Sequence, residues 1–219
     1  MILNIKLRKF TVSTLSSICL LTCLSLCFSL WASSNANAKT LLVYGDSLSA
    51  AYGMDQEKGW VSLLAQSLAS THTIKNASIS GETSAGGLAR LPLTLKEISP
   101  DLVILELGAN DGLRGYSTKL MQQNLHKMIN AIKESGASVI LASIGLPAAY
   151  GPRYIDEFRS VYADLALQHD IPLLDLFQPS FLETPGYIQE DGLHPTEITQ
   201  PIIRDLVANF LEEHNPLED

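Results

Sequence analysis

A serine, a histidine and an aspartate occupy settings in this 219-residue chain that suit acyl transfer. Ser47 lies in Gly45-Asp46-Ser47-Leu48-Ser49, directly behind the apolar run Leu41-Leu42-Val43-Tyr44. A short apolar run bounded by Gly reads as a buried strand, and a serine just past its end stands on a tight turn at the rim where α/β folds take up ligands. A serine hydroxyl is a poor nucleophile unless a base removes its proton as it attacks. His194 is the candidate base, in Asp191-Gly192-Leu193-His194-Pro195. Asp191, three residues earlier in a Gly-containing turn, can fold its carboxylate onto the imidazole, fixing the tautomer and stabilising the imidazolium. Attack on a carbonyl creates an oxyanion, which needs donors held in place beforehand. The backbone N–H groups of Ser47 and Gly81 and the side-chain amide of Asn110 are the candidates, and the absence of a side chain at Gly81 lets the backbone approach a substrate closely. Taken singly, each piece also reads as an ordinary turn or cap: Asn110-Asp111-Gly112 is a turn sequence, Gly81 can simply end a strand, and a histidine before a proline can only cap a helix.

What gives the pieces joint meaning is the pattern of elements that must carry them. Strands are predicted at Leu41–Tyr44, Ile74–Ile79, Leu102–Leu107, Val139–Ser143 and Leu173–Leu176. Helical periodicity places Met121, Leu125, Met128, Ile129 and Ile132 on one face of Thr118–Ser135, and Ile155, Phe158, Val161, Tyr162 and Leu165 on one face of Tyr154–His169. A C-terminal helix carries Ile198, Ile202, Ile203, Leu206, Val207, Phe210 and Leu211, while Trp60–Ser70 and Ala85–Ile98 give weaker helical patterns, the second interrupted by Pro92. Five β-then-α units imply one doubly wound α/β domain with a mostly parallel sheet. In such a sheet ligands bind outside the carboxyl ends of the strands. Ser47 follows the first strand, Gly81 the second, Asn110 the third, and Asp191 and His194 the last, so the winding gathers them on one rim.

The first 38 residues differ from the rest. Lys6, Arg8 and Lys9 precede an uncharged stretch from Thr11 to Trp31 and then Ala36-Asn37-Ala38, the small-residue pattern of a signal-peptidase site. The expectation is an exported protein, periplasmic or secreted, cut after Ala38, with residues 39–219 as a single domain and no stable membrane anchor; the alternative is an uncleaved anchor, for which 21 uncharged residues are long enough. All three cysteines, Cys19, Cys23 and Cys27, fall in this leader. Taking away the leader's three basic residues, out of 15 against 23 acidic ones, moves the net charge from −8 to −11. So acidic a surface argues against nucleic acid and against anionic headgroups as partners. His72, His126, His169 and His214 fall in or near predicted helices and read as surface residues; with no HExxH motif and no Cys cluster, neither a metal nor a cofactor is expected.

The blocks GDSLS, SGET, GAND and DGLHP together resemble the SGNH (GDSL-type) serine hydrolases. The longer stretches NASISGETSAGGLARLP and LELGANDGLRGY are most similar to the branch of secreted thioesterases, arylesterases and lysophospholipases. The resemblance implies a three-layer, flavodoxin-like α/β/α fold and an acyl-enzyme route to the hydrolysis of esters and thioesters. It implies the nucleophile at Ser47, acid and base at Asp191 and His194, and oxyanion donors at Gly81 and Asn110. It also implies that the loops after strands three and four border the acyl chain. Leu113, Tyr116, Leu146, Pro147 and Tyr150 form an apolar group there. Ala51 stands where the family often carries a second glycine, and a small change in the following turn is expected. The partners implied are small acyl esters or thioesters, lysophospholipids among them, acted on by a monomer. A carbohydrate acetylesterase of the same fold and a non-catalytic flavodoxin-like binding domain are the alternatives.

Overall fold

The computed structural model describes residues 38–177, 181 and 183–214, so the leader lies outside the described residues apart from Ala38. Five strands form one sheet: β1 (Lys39–Gly45), β2 (His72–Asn76), β3 (Leu102–Glu106), β4 (Ser138–Ile144) and β5 (Leu173–Phe177). All neighbouring pairs are parallel, in the order β2-β1-β3-β4-β5. The alternation along each strand sorts the core into two layers. Leu42 and Tyr44 of β1, Val103 and Leu105 of β3 and Val139 and Leu141 of β4 face α2 (Ser84–Ile98), α4 (Thr118–Glu134) and α5 (Pro152–His169). Leu41, Val43, Leu102, Ile104, Ile140 and Ala142 face α1 (Trp60–Ser67) and α6 (Gln200–His214). This is the three-layer α/β/α arrangement. Each fully buried leucine or isoleucine contributes about 1.5–3 kcal/mol relative to exposure.

The chain leaves β1 toward β2 on one side and returns to β3 on the other. The carboxyl ends of β1 and β3 therefore flank the point where the winding reverses, the place where open parallel sheets form a crevice. Between β3 and α4 stands a short helix, α3 (Ala109–Leu113), where the sequence suggested only a turn at Asn110-Asp111-Gly112. Polar side chains begin the longer helices: the Thr83 hydroxyl accepts the Gly86 N–H, the Ser117 hydroxyl accepts the Leu120 N–H, and Pro152 opens α5.

Several boundaries differ from the sequence expectation. β2 spans His72–Asn76, not Ile74–Ile79; as an edge strand with mostly exposed residues it offers no alternation to read, although Ala77 and Ile79 still donate to Val43 and Gly45 beyond its end. His72 accordingly lies in a strand. Pro92 does not interrupt α2, because it stands on the exposed side while Leu91 and Leu95 anchor the buried one. Trp60–Ser70 shortens to α1. Ile198 belongs to a single turn before α6 and, with Ile202, is exposed rather than in the core. His126 and His169 are not independent surface residues: α4 and α5 bring them together, Nδ1 of the first 2.9 Å from Nε2 of the second.

Ala51 has φ +57, a left-handed conformation that costs a non-glycine residue about 1–2 kcal/mol. It is held by its buried setting against Gly59, where an added methyl would lie 2.6 Å from the Ala51 methyl. Gly59 itself has φ −67 and carries no backbone strain. Gly59→Ala should therefore destabilise the wild type by about 1–3 kcal/mol through overpacking, yet cost less than about 1 kcal/mol in an Ala51→Gly background. Urea denaturation of the four proteins of this cycle measures the coupling; equal costs in both backgrounds would refute it.

Candidate active site

The turn after β1 is tied down from several directions. The Asp46 carboxylate accepts the Leu48 N–H (3.1 Å), and the Asp46 carbonyl accepts the Ala50 N–H (3.0 Å). The Trp60 indole donates to the Leu48 carbonyl (3.1 Å), and the Asn76 amide donates to the Ser49 carbonyl (2.8 Å). Beneath the turn, Oε2 of Glu106 accepts both the Asp46 N–H (3.1 Å) and the Ser49 hydroxyl (2.7 Å). Ser47 is the half-buried residue at the top of this frame.

His194 reaches it from a small antiparallel loop. Ile188 pairs with Pro195, the Gln189 N–H donates to the His194 carbonyl (2.8 Å), and Gly192, at φ +72, makes the reversal between them. Nε2 of His194 is 2.8 Å from Oγ of Ser47, and Nδ1 is 2.6 Å from Oδ2 of Asp191. A carboxylate only accepts, so Nδ1 carries the proton and Nε2 is left to accept from the serine. Oδ1 of Asp191 accepts the N–H groups of Leu193 (2.9 Å) and His194 (3.0 Å). Burial alone would raise the Asp191 carboxyl; these hydrogen bonds and the facing imidazole outweigh it and hold the group below its ordinary value.

Candidate donors come from the loops after β2 and β3, of which Asn110 but not Gly81 lines the same cavity as Ser47. Ile79, Ser80, Gly81 and Glu82 form a turn closed by the Glu82 N–H on the Ile79 carbonyl (3.1 Å), with Gly81 at φ +81. A left-handed third residue is the requirement of a type II turn, which needs Gly there. The closing bond uses Glu82, so the Gly81 N–H, like that of Ser47, stays without a partner among the described residues. Two arginines steady this turn: Arg114 donates to the Gly81 carbonyl (3.1 Å), and Arg90 pairs with Glu82 (2.6 Å) while stacking over Tyr44. Asn110, at the start of α3, donates one amide hydrogen to Oδ2 of Asp46 (3.0 Å), leaving the second for a ligand. The sequence singled out Asn110 but not its neighbour Asp111, which is buried and accepts both the N–H (2.7 Å) and the hydroxyl (2.6 Å) of Ser84.

A cavity of about 160 Å³ opens beside Ser47, Asn110 and His194. Of the five residues expected to border an acyl chain, Leu113, Leu146 and Pro147 line it. Leu146 is also core, packed in the same cluster as Phe158. Tyr116 and Tyr150 do not line it. Tyr116 points to solvent, and the Tyr150 hydroxyl instead donates to the Leu113 carbonyl (2.7 Å), propping the loop from outside. Ile144 and Phe177, which lie one residue past the strands expected from the sequence and end β4 and β5 here, complete the apolar wall. Two further residues were missed. The Tyr52 ring packs on the His194 imidazole with centroids 4.2 Å apart, and the Gln189 amide donates to the carbonyls of both Tyr52 (2.9 Å) and Pro195 (3.0 Å). Nothing in their spacing marks them; they matter only because the fold brings the first and last loops together.

The arrangement offers a hydroxyl in contact with an imidazole, a carboxylate behind that imidazole, three free donors and an apolar cavity, which is what acyl transfer requires. The sequence profile of the GDSL-like lipase/acylhydrolase family matches residues 43–200. An arylesterase of Vibrio mimicus is 47% identical over 194 residues, 87% of this chain and 96% of that one. Thioesterase 1/protease 1/lysophospholipase L1 of Escherichia coli K12 is 44% identical over 177 residues, 81% and 85% of the two chains. The crystal structure of the psychrotrophic esterase EstA from a Pseudoalteromonas species, inhibited by monoethylphosphonate, superposes with a TM-score of 0.76 at 39% identity, covering 80% of this chain and 97% of that one. With a profile match running from β1 to the start of α6 and relatives this similar over most of their own length, the chain belongs to the GDSL-like lipase/acylhydrolase family.

Proposed function

We propose that the protein hydrolyses carboxylic esters and thioesters through an acyl-enzyme intermediate on Ser47. The observation that carries this reading is the continuous chain of contacts from Ser47 through His194 to Asp191, at 2.8 and 2.6 Å. Oγ of Ser47 attacks the carbonyl carbon while Nε2 of His194 takes its proton, and Asp191 stabilises the imidazolium that results. The carbonyl oxygen becomes an oxyanion, held by the N–H groups of Ser47 and Gly81 and by the Asn110 amide. Collapse breaks the bond to the leaving group, which receives the proton from His194. Water then enters, gives its proton to the same imidazole and releases the acid. A thiol, with a pKa near 8.5, needs less help in leaving than an alcohol. One oxyanion hole therefore serves both substrate types, in line with the arylesterase and thioesterase names of the relatives.

A fluorophosphonate probe should label Ser47 in the wild type and fail to label Ser47→Ala. Ser47→Ala and His194→Ala should each abolish turnover, since nucleophile and base act as a unit, and Asn110→Ala should lower kcat by about 10²-fold with less effect on KM. Turnover by Ser47→Ala at the wild-type rate would mean the nucleophile lies elsewhere.

The apolar cavity supports acyl groups longer than acetyl. Each added methylene should contribute about 0.8 kcal/mol, roughly fourfold in kcat/KM, until the cavity is full. A chain-length series of p-nitrophenyl esters should therefore rise from acetyl and then level. Leu113→Ser should flatten the rise; Leu113 is a better residue to change than Leu146, whose packing the core needs. A wild-type profile falling from acetyl onward would favour an acetylesterase instead.

The leader supports export, with residues 39–219 as the mature single domain, in a compartment where lysophospholipids or other exported esters are the accessible substrates. N-terminal sequencing of exported protein should begin at Lys39; a start inside residues 1–31 with retention in membranes would overturn cleavage.

A further inference from the structure

Glu106, the last residue of β3, has no solvent exposure, and neither has Asp46 beside it. The two carboxyls are unequally served. Both oxygens of Asp46 have donors, the Leu48 N–H on Oδ1 and the Asn110 amide on Oδ2. Glu106 receives both of its donors on Oε2, and Oε1 finds none among the described residues. An ionised Glu106 would thus bury a bare oxygen and set two charges side by side. A protonated Glu106 turns the same oxygen into a donor, and the Asp46 side chain is a neighbour close enough for the two carboxyls to share a hydrogen bond.

We propose that Glu106 is a positioning residue: it remains a neutral carboxylic acid, donates from Oε1 to Asp46, and thereby keeps Asp46 ionised and the Asn110 amide turned toward the cavity. The proposal rests on the reading of Asn110 as an oxyanion donor. Burial first and then the Asp46 charge push Glu106 well above the ordinary carboxylate range. Asp46 is pushed up only to about 6, because the Leu48 N–H, the Asn110 amide and the His194 charge oppose the effect of its burial. Asp111 adds a further carboxyl that raises Asp46, and Tyr162, which also faces this group, is itself raised by burial and by the Glu106, Asp46 and Asp111 carboxyls.

The sign of the consequence is fixed. A carboxyl raised in the folded state holds a proton that the unfolded chain releases above about pH 4.5, so its contribution to stability is complete below that pH and is lost as pH rises toward the folded value. Glutamine supplies the same donor and does not titrate. Urea denaturation from pH 4 to 8 should therefore show the folding equilibrium of Glu106→Gln gaining on the wild type by up to about tenfold per pH unit above 4.5. A ratio independent of pH would mean that Glu106 is ionised in the fold and would overturn the proposal. In kinetics, Glu106→Gln should keep kcat within about threefold, while Glu106→Leu, which lacks the donor, should lose tenfold or more in kcat with KM little changed. Equal losses in the two variants would also overturn it. If the Leu variant does not fold, the pH profile of the Gln variant still decides. Asn110→Ala, run in parallel, separates the two readings: an unchanged kcat there would sink the oxyanion assignment, whereas the pH dependence of Glu106→Gln tests the neutral acid alone.

Discussion

The carboxyl of Glu106 sets where the turn after β1 can go. It projects from the end of β3 so close to the neighbouring strand that a methyl at Gly45 would lie 2.3 Å from Oε2. Only glycine lets β1 end there. Once it does, the next N–H, that of Asp46, has a carboxyl oxygen waiting, and the Ser49 hydroxyl closes the other side of the same oxygen. Two covalently distant segments are thereby locked at the reversal point of the sheet, and Ser47 sits midway along the locked segment. The buried acid is destabilising taken alone, and the fold retains it directly beneath the turn that carries the Ser47 hydroxyl.

From that fixed point the other loops are placed by long side chains more than by strand geometry. Trp60 spans from the Leu48 carbonyl to α6, where its own N–H meets the Gln200 side chain (3.0 Å). Arg114 crosses from the end of α3 to the Gly81 turn, and Asp111 holds the start of α2 through Ser84. Each crossing links loops from different strands. The carboxyl rim is thus a connected hydrogen-bonded layer lying on the apolar core.

The layered fold could be read from the sequence because its core strands are short apolar runs and its long helices carry clear stripes. The edge strand β2 could not be placed well, because it has no buried face to impose alternation. Ser47, Gly81 and Asn110 were legible as candidates because each sits on a Gly-punctuated loop just past a strand, where backbone conformation restricts residue choice; Asp191 and His194 lie well past β5 and were legible only through their own Gly-containing turn. Glu106 was present in the predicted strand Leu102–Leu107, and a single acid in an otherwise apolar run was a usable sign of a buried functional group. Tyr52, Gln189 and Arg114 gave no such sign. Their partners are backbone carbonyls and a ring contributed by distant loops, so no local pattern encodes them, and the His126–His169 pair likewise exists only once α4 meets α5.

The two halves of the site differ in burial, and the difference suits the role proposed for each. Asp46 and Ser49, on either side of the nucleophile turn, are almost completely buried, at 0% and 2% exposure. Asp191 and Gly192 are exposed, and the loop carrying His194 lies outside the sheet, fastened mainly by Gln189 and by a Tyr52 ring that is itself 48% exposed. Oxyanion donors and a nucleophile lose effect if they must reorganise as charge develops, so rigidity serves them. The imidazole has a different task. In the proposed mechanism it collects a proton at Oγ and delivers it to a leaving group bound to the other side of the tetrahedral carbon, a shift of its hydrogen-bonding direction within one cycle. Acid and base share one four-residue turn, so Asp191 keeps its place against the ring through two backbone hydrogen bonds of that same turn. The burial pattern suits that proposed division: the nucleophile turn is set in the buried end of the sheet, and the acid–base pair stands on the exposed loop.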